Sequence, residues 1–127
     1  MTPVVPEVLV ELAQLLLRNA APGVAEGERA SHLGLTAALL GVAAEVWDGA
    51  AAKLVDENRA LRALLDETGD DPDLRLTALK AENDRLRGRL IDAQTAAEAA
   101  GDVARQEAIW AELRESTERR KLSASLV

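Results

Sequence analysis

Residues 26–67 read EGERASHLGLTAALLGVAAEVWDGAAAKLVDENRALRALLDE, and no proline interrupts them. Apolar or seam-like residues recur at intervals of three and four: Leu33, Ala37, Leu40, Ala44, Trp47, Ala51, Leu54, Asn58, Leu61 and Leu65. Residues three and four apart share one face of a helix, so this period is a helical stripe. It predicts a single helix over about residues 26–67, roughly 60 Å long at about 1.5 Å per residue. Asp48-Gly49 is its weakest point, because Gly is a poor helix former.

Downstream, TGDDPD at 68–73 gathers Gly, Asp and Pro into the clearest turn of the chain. A third helix from about Asp73 carries Leu76, Leu79, Asn83, Leu86, Leu90, Ala93 and Ala97 at the same spacing. At Gly101-Asp102 the stripe changes phase, to Val103, Gln106, Trp110, Leu113 and Thr117. Gly101 therefore reads as the left-handed residue that ends one helix, and Asp102 as the N-cap of a fourth that fades near Arg120. Upstream, a first helix begins around Pro6 and runs to about Asn19, with Val5, Leu9, Leu12, Leu16 and Ala20 on one stripe. Ala21-Pro22-Gly23 stops it. Residues 1–5 and 121–127 read as frayed tails.

The 127 residues suffice for one ordinary domain. Of these, 25 are Ala and 21 are Leu, with no Phe, Tyr or Cys and only Trp47 and Trp110 as aromatics. Good helix formers abound and sheet-filling residues are scarce, so the fold class is all-α. The expected architecture is a bundle of about four helices. In it the long helix forms an antiparallel, coiled-coil-like hairpin with the third, folding back at 68–73. That fold-back sets Leu65 beside Leu76, Leu54 beside Leu86, Ala51 beside Leu90 and Asn58 beside Asn83. Two seam amides in adjacent layers can then satisfy each other, which a lone one cannot.

Two stretches of this pair are alike. Leu54-x-x-Glu57-Asn58-x-x-Leu61-Arg62-x-x-Leu65 matches Leu79-x-x-Glu82-Asn83-x-x-Leu86-Arg87-x-x-Leu90. An Asn in an apolar seam fixes register in leucine zippers. A DNA-binding zipper also needs a basic region ahead of it, and 45–53 is nearly neutral and Ala-rich, so the pattern reads as helix packing.

The net charge of −7 and pI near 4.7 oppose the positive field that phosphate backbones require, which argues against nucleic acid as partner. The Arg85, Arg87, Arg89 and Arg119, Arg120, Lys121 clusters read as solvated helix surface. The Val8–Leu17 stretch is too short to span a bilayer and contains Glu11, so no membrane segment or leader is read and a cytoplasmic location is expected. Arg outnumbers Lys twelve to three, which with the Ala and Leu excess points to a GC-rich bacterial genome.

Sites of chemistry are few. Without Cys there are no disulfides or thiolate ligands. His32 is the single histidine, and Glu28 four residues away has no second copy to complete a di-metal pattern, so no metal or cofactor is expected. Ser31 and His32 are neighbours on a helix and diverge by about 100°, which forbids a local nucleophile–base pair. Gly23, Gly27, Gly34 and Gly41 follow no strand and make no phosphate loop. Glu57 and Glu82 are read as flanking the seam and facing solvent; Asp70, Asp71 and Asp73 as a turn that caps the next helix. No catalytic residue is assigned, and the chain is read as no enzyme.

Gly34, Ala37, Ala38, Gly41 and Ala44 form a small-residue surface suited to close helix contact, within the chain or between chains. No motif is specific enough to place the chain in a family. The functional expectation is a non-catalytic interaction or scaffold protein. It assembles as a homodimer through helices 1 and 2, with Leu9, Leu12, Leu16, Leu33, Leu39 and Leu40 needing cover that one chain does not supply. An accessory or regulatory subunit binding another protein is the alternative, and a carboxylate-based enzyme or apolar-ligand binder the third reading.

Overall fold

The computed structural model describes residues 4–24 and 27–123. Four α-helices follow one another: α1 (Val5–Leu15), α2 (Glu28–Leu64), α3 (Leu76–Ala100) and α4 (Val103–Arg119), with no strand among the described residues. The chain is an all-α helical bundle. It divides into two compact units, one of Met1–Gly49 with Leu122–Val127 and one of Ala50–Lys121. The long helix runs through Asp48-Gly49 without a break and contributes to both.

In the first unit, α1 opens with Pro6 in its first turn, where a missing N–H costs nothing. It ends at Leu15, earlier than expected, and widens into a π-helical turn over Leu16–Ala20 before a 3-10 turn at Ala21–Gly23. Leu9, Ala13, Leu16 and Ala20 are the more buried positions, while Val5 and Leu12 are exposed. On α2, Ala37 and Ala44 are buried and Leu33 and Leu40 half-buried, as the seam requires, but Trp47 is exposed. A strict seven-residue repeat drifts by about 20° per heptad on a straight helix. Two heptads beyond Leu33, Trp47 has left the buried face. Ser123, expected in a frayed tail, donates its N–H and Oγ–H to Glu45 at 2.6 and 2.7 Å. The tail readings at 1–3 and 124–127 lie outside the described residues. By length and composition alone, Ser31–Leu64 is apolar enough to cross a bilayer, a stretch the sequence reading passed over.

In the second unit, α2 closes three residues short of its expected end. Glu67 N–H reaches Arg62 O at 2.9 Å and Asp66 N–H reaches Ala63 O at 3.4 Å, with Asp66 left-handed at φ 56°. This paired pattern satisfies the last carbonyls of the helix. The same device ends α3, where Asp102 N–H bonds Ala97 O at 2.9 Å around left-handed Gly101. Asp102 then caps α4 by accepting from Arg105 N–H at 3.0 Å, as read. The face of α4 is corrected: Ile109 and Ser116 point inward, and Trp110 is 54% exposed. Bulk misled the sequence reading, since the inward face carries a serine held by charged partners.

The direction of α3 is also corrected. Gln106 Nε2 donates to Ala97 O and Arg87 Nη2 to Ser116 Oγ, so α3 and α4 run antiparallel. Glu57 meets Ser116 and Arg120, whereas Asp66 meets Arg105, so this part of α2 is antiparallel to α4 as well. It follows that α2 and α3 run the same way. The 11 residues between Leu64 and Leu76 do not make a tight reversal. They double back along α2, where Asp71 is caught by Arg62 and Asn58, and an extended stretch of that length reaches up to about 36 Å. Leu61, Leu86, Leu90 and Ile109 form the core, with Leu64, Leu65, Ala93 and Leu113 packed against it. Leu90 thus sits in the Leu61 cluster, displaced from the Ala51 level that an antiparallel fold-back assigned to it.

Candidate functional site

Parallel pairing gives the internal repeat its meaning. Each repeat carries Glu, Asn and Arg at the same offsets, and the two are 25 residues apart. Asn83 Nδ2 donates to Asn58 Oδ1 at 3.0 Å, joining equivalent positions. Arg87 donates to Glu57, and Arg62 Nη2 donates to Glu82 at 3.0 Å, so each repeat's Glu takes the other repeat's Arg. A pseudo-two-fold relation between the repeats produces this reciprocity.

Glu57 is the most heavily bonded member. Its carboxylate accepts from Arg87, from Asn83 Nδ2 at 3.1 Å, from Ser116 Oγ at 3.2 Å and from Arg120 Nη2 at 3.0 Å, with its side chain 5% exposed. Burial alone pushes its pKa up. Hydrogen bonds from Arg87 and Asn83 and the charges of Arg87 and Arg120 outweigh that, and hold the carboxyl below its ordinary value. Arg62 makes the second knot: it forks onto Asp71 at 2.7 and 3.2 Å, with side-chain exposures of 7% and 5%. The Asp71 carboxyl is lowered, first by this Arg62 bond. Glu82 is lowered to about 2, mainly by Arg85, with Arg62 adding to it. Arg85 and Arg89 also pair with Glu67.

The expectations for these residues are revised. Glu57 does not face solvent, and Asp71 does not cap α3, whose first turn has no side-chain cap. Asp73 instead accepts from the Arg75 backbone N–H at 3.0 Å and pairs with its guanidinium. Arg85, Arg87 and Arg89 form a bonded frame. The one cue in the sequence was the repeat itself, which sets an acid five residues before a base in both copies; Ser116 and Arg120 gave no cue of their own.

Chemically the cluster is closed. A general acid working near neutral pH needs a raised pKa, whereas the Glu57, Asp71 and Glu82 carboxyls are held low and bonded by Arg. Among the described residues no group of three or more His, Asp or Glu is arranged to hold a metal ion, and His32 is exposed. Beside the cluster, α3 and α4 leave an open apolar cleft of 350 Å³ lined by Arg87, Leu90, Ile91, Gln94, Thr95, Ile109 and Leu113. No family model, curated protein or solved structure matches the chain.

Proposed function

We propose that the chain is a non-catalytic helical interaction protein that assembles as a homodimer through its first two helices. One observation carries this. In the first unit the only buried hydrophobic residues among those described are Ala13, Ala37 and Ala44, while Val5, Val8, Leu12, Leu15, Leu35, Leu39, Val46 and Trp47 are exposed. Patches of this extent on soluble chains mark interaction surfaces. Leu12 and Leu39 of the expected set are the exposed ones; Leu9, Leu16, Leu33 and Leu40 are half-buried and would support the interface from behind. In this reading the second unit is a rigid body clasped by a short parallel, coiled-coil-like pairing of α2 and α3, with the Asn pair setting register.

Light scattering at micromolar concentration tests it, with twice the 13.5 kDa chain mass expected. Leu12→Asp combined with Leu39→Asp should yield a monomer of unchanged helix content. A monomeric parent chain sinks the proposal. The second reading, an accessory subunit for another protein, is favoured by the apolar cleft of the second unit, where Ile91 is 68% exposed at its edge.

A further inference from the structure

The 25-residue offset between the repeats relates surfaces as well as contacts. On α2, Val55, Arg59 and Arg62 line a groove whose other wall is Gly69, Asp70 and Asp71, the stretch that doubles back along the helix. The equivalent positions on α3, 25 residues on, are Lys80, Asp84 and Arg87. These three line a groove of 340 Å³ together with Leu54, Asn83 and Arg120. Among the described residues, nothing equivalent to 69–71 lines it.

The two faces differ in what their arginines hold. Arg62 takes two acids, Glu82 from the other repeat and Asp71 from the connection, and Asn58 donates to the same Asp71. Arg87, its equivalent, takes one acid, Glu57, and shares it with Arg120. Nη1 of Arg87 and Nη1 of Arg120 bond no described residue. The charges agree. Around Arg62, the cations Arg62, Arg85 and Arg89 meet the acids Asp71, Glu82 and Glu67, three against three. Around Arg87, the cations Arg87, Arg120 and Lys80 meet Glu57 and Asp84, three against two. The Arg87 side is short of one carboxylate, the one that Asp71 supplies to Arg62.

We infer that the α3 groove binds an extended acidic segment of a partner protein, its carboxylate seated on Arg87 and Arg120 as Asp71 is seated on Arg62. The inference stands on the second unit alone and holds for a monomer or a dimer. A guanidinium holds a carboxylate through two parallel bonds, the fork that Arg62 makes with Asp71 at 2.7 and 3.2 Å. At 340 Å³ the groove falls in the range of about 300–1,000 Å³ that organic ligands occupy, beyond what a lone ion fills. Lys80, where α2 has Val55, adds a cation at the rim. Its pair with Asp84 at 2.7 Å is more than half exposed on both sides, and such pairs contribute little, so Lys80 is released to an incoming acid. The net charge of −7 repels acids at a distance, but physiological salt screens that beyond about 8 Å. The local surplus therefore decides.

The chain supplies its own probe: a capped peptide copying residues 68–73, Thr-Gly-Asp-Asp-Pro-Asp. The full chain, labelled with nitrogen-15, is titrated with it at physiological salt. Saturable shifts of the Arg87 Nε–H and the Asn83 side-chain amide are expected in the millimolar range, with the Arg62 Nε–H unmoved. A peptide with Asp70, Asp71 and Asp73 all changed to Asn should bind at least about tenfold more weakly. Lys80→Glu and Arg120→Gln change side chains that are 68% and 55% exposed, and each should weaken the parent peptide at least about fivefold at unchanged helix content. Should Arg120→Gln lose helix, Lys80→Glu alone decides. No saturable shift, or equal binding of the Asn peptide, overturns the site. Shifts centred on Arg62 and residues 69–71 overturn it too, since the peptide then only displaces its own copy. Acetate binding as tightly as the peptide overturns the peptide segment as occupant.

Discussion

Asn83 Nδ2 lies 3.0 Å from Asn58 Oδ1, across two helices that run in the same direction. Neither amide is satisfied by the other alone. Asn58 Nδ2 also donates to Asp71 Oδ1 at 3.1 Å and to Leu79 O at 3.3 Å, and Asn83 Oδ1 accepts from Arg87 Nε at 3.1 Å. The pair is the hinge between the Glu57 knot and the Arg62 knot.

A double-mutant cycle on this pair should therefore be non-additive but incomplete. Asn58→Leu and Asn83→Leu are each expected to cost about 1–3 kcal/mol, because each strands buried partners. The double variant should fall short of the sum by about 1 kcal/mol, within the range of directly contacting residues. Full recovery is not expected, since Asp71 and Glu57 still lose a donor. Urea melts of the four chains decide it; strict additivity would show that the contact carries no coupling.

Arg62→Leu should be more damaging, by about 3–5 kcal/mol, since it leaves the Asp71 carboxylate buried without its cation. Adding Asp71→Leu should restore much of that loss. Hydrogen exchange would locate the effect, with the backbone of residues 66–75 losing protection first in the single variant. Unchanged protection there would contradict the role given to this ion pair.

Acid should unfold the protein through these same groups. Glu57, Asp71 and Glu82 all have folded pKa values below their unfolded ones. At falling pH the unfolded chain then binds more protons, so their contribution is complete above the ordinary carboxylate range and is lost as pH drops through the folded values. For Glu82 the window runs from the ordinary value of 4.5 down to about 2. Thermal melts at pH 7, 5, 3 and 2 should show a Tm flat above pH 5 and falling below it. Glu82→Gln should make the fall shallower, and a Tm independent of pH down to 2.5 would count against the whole network.

The α3–α4 corner offers a local test. Gly101 has φ 66°, a conformation that costs a side chain, so Gly101→Ala should destabilise by about 1 kcal/mol. Asp102→Ala should cost about 0.5–2 kcal/mol through loss of the cap to Arg105 N–H. If the two together leave the melt unchanged, the helix boundary lies elsewhere.

The helices were readable from the sequence because their signals are local: seam spacing, Pro22-Gly23, Gly101 and Asp102. The Asn58–Asn83 contact was also predicted, but by a fold-back at 68–73 that the chain does not make. Both directions bring these two residues together, so the contact itself could not discriminate. What discriminates is α4, which runs antiparallel both to α3, through Gln106 on Ala97 and Arg87 on Ser116, and to α2, through Ser116 on Glu57 and Arg105 on Asp66. The partners from α4 were out of reach, because Ser116 and Arg120 look like any solvated helix positions until the third helix is placed. Trp110 was misassigned for the opposite reason, its size suggesting a core that Ile109 fills instead.

The doubled-back connection has a consequence for the order of folding. Gly101 and Asp102 join α3 to α4 across a corner two residues long, so their contacts close quickly. Glu57 meets Ser116 and Arg120 across sequence separations of 59 and 63 residues, and such distant pairings come late and slow the rate. The α3–α4 pair should form in the folding transition state, with α2 docking afterwards as the ion pairs engage. Truncating Leu90 or Ile109 would then slow refolding, whereas Glu57→Gln would chiefly hasten unfolding. The buried ionic cluster would thus act as a latch that sets how long the native state persists.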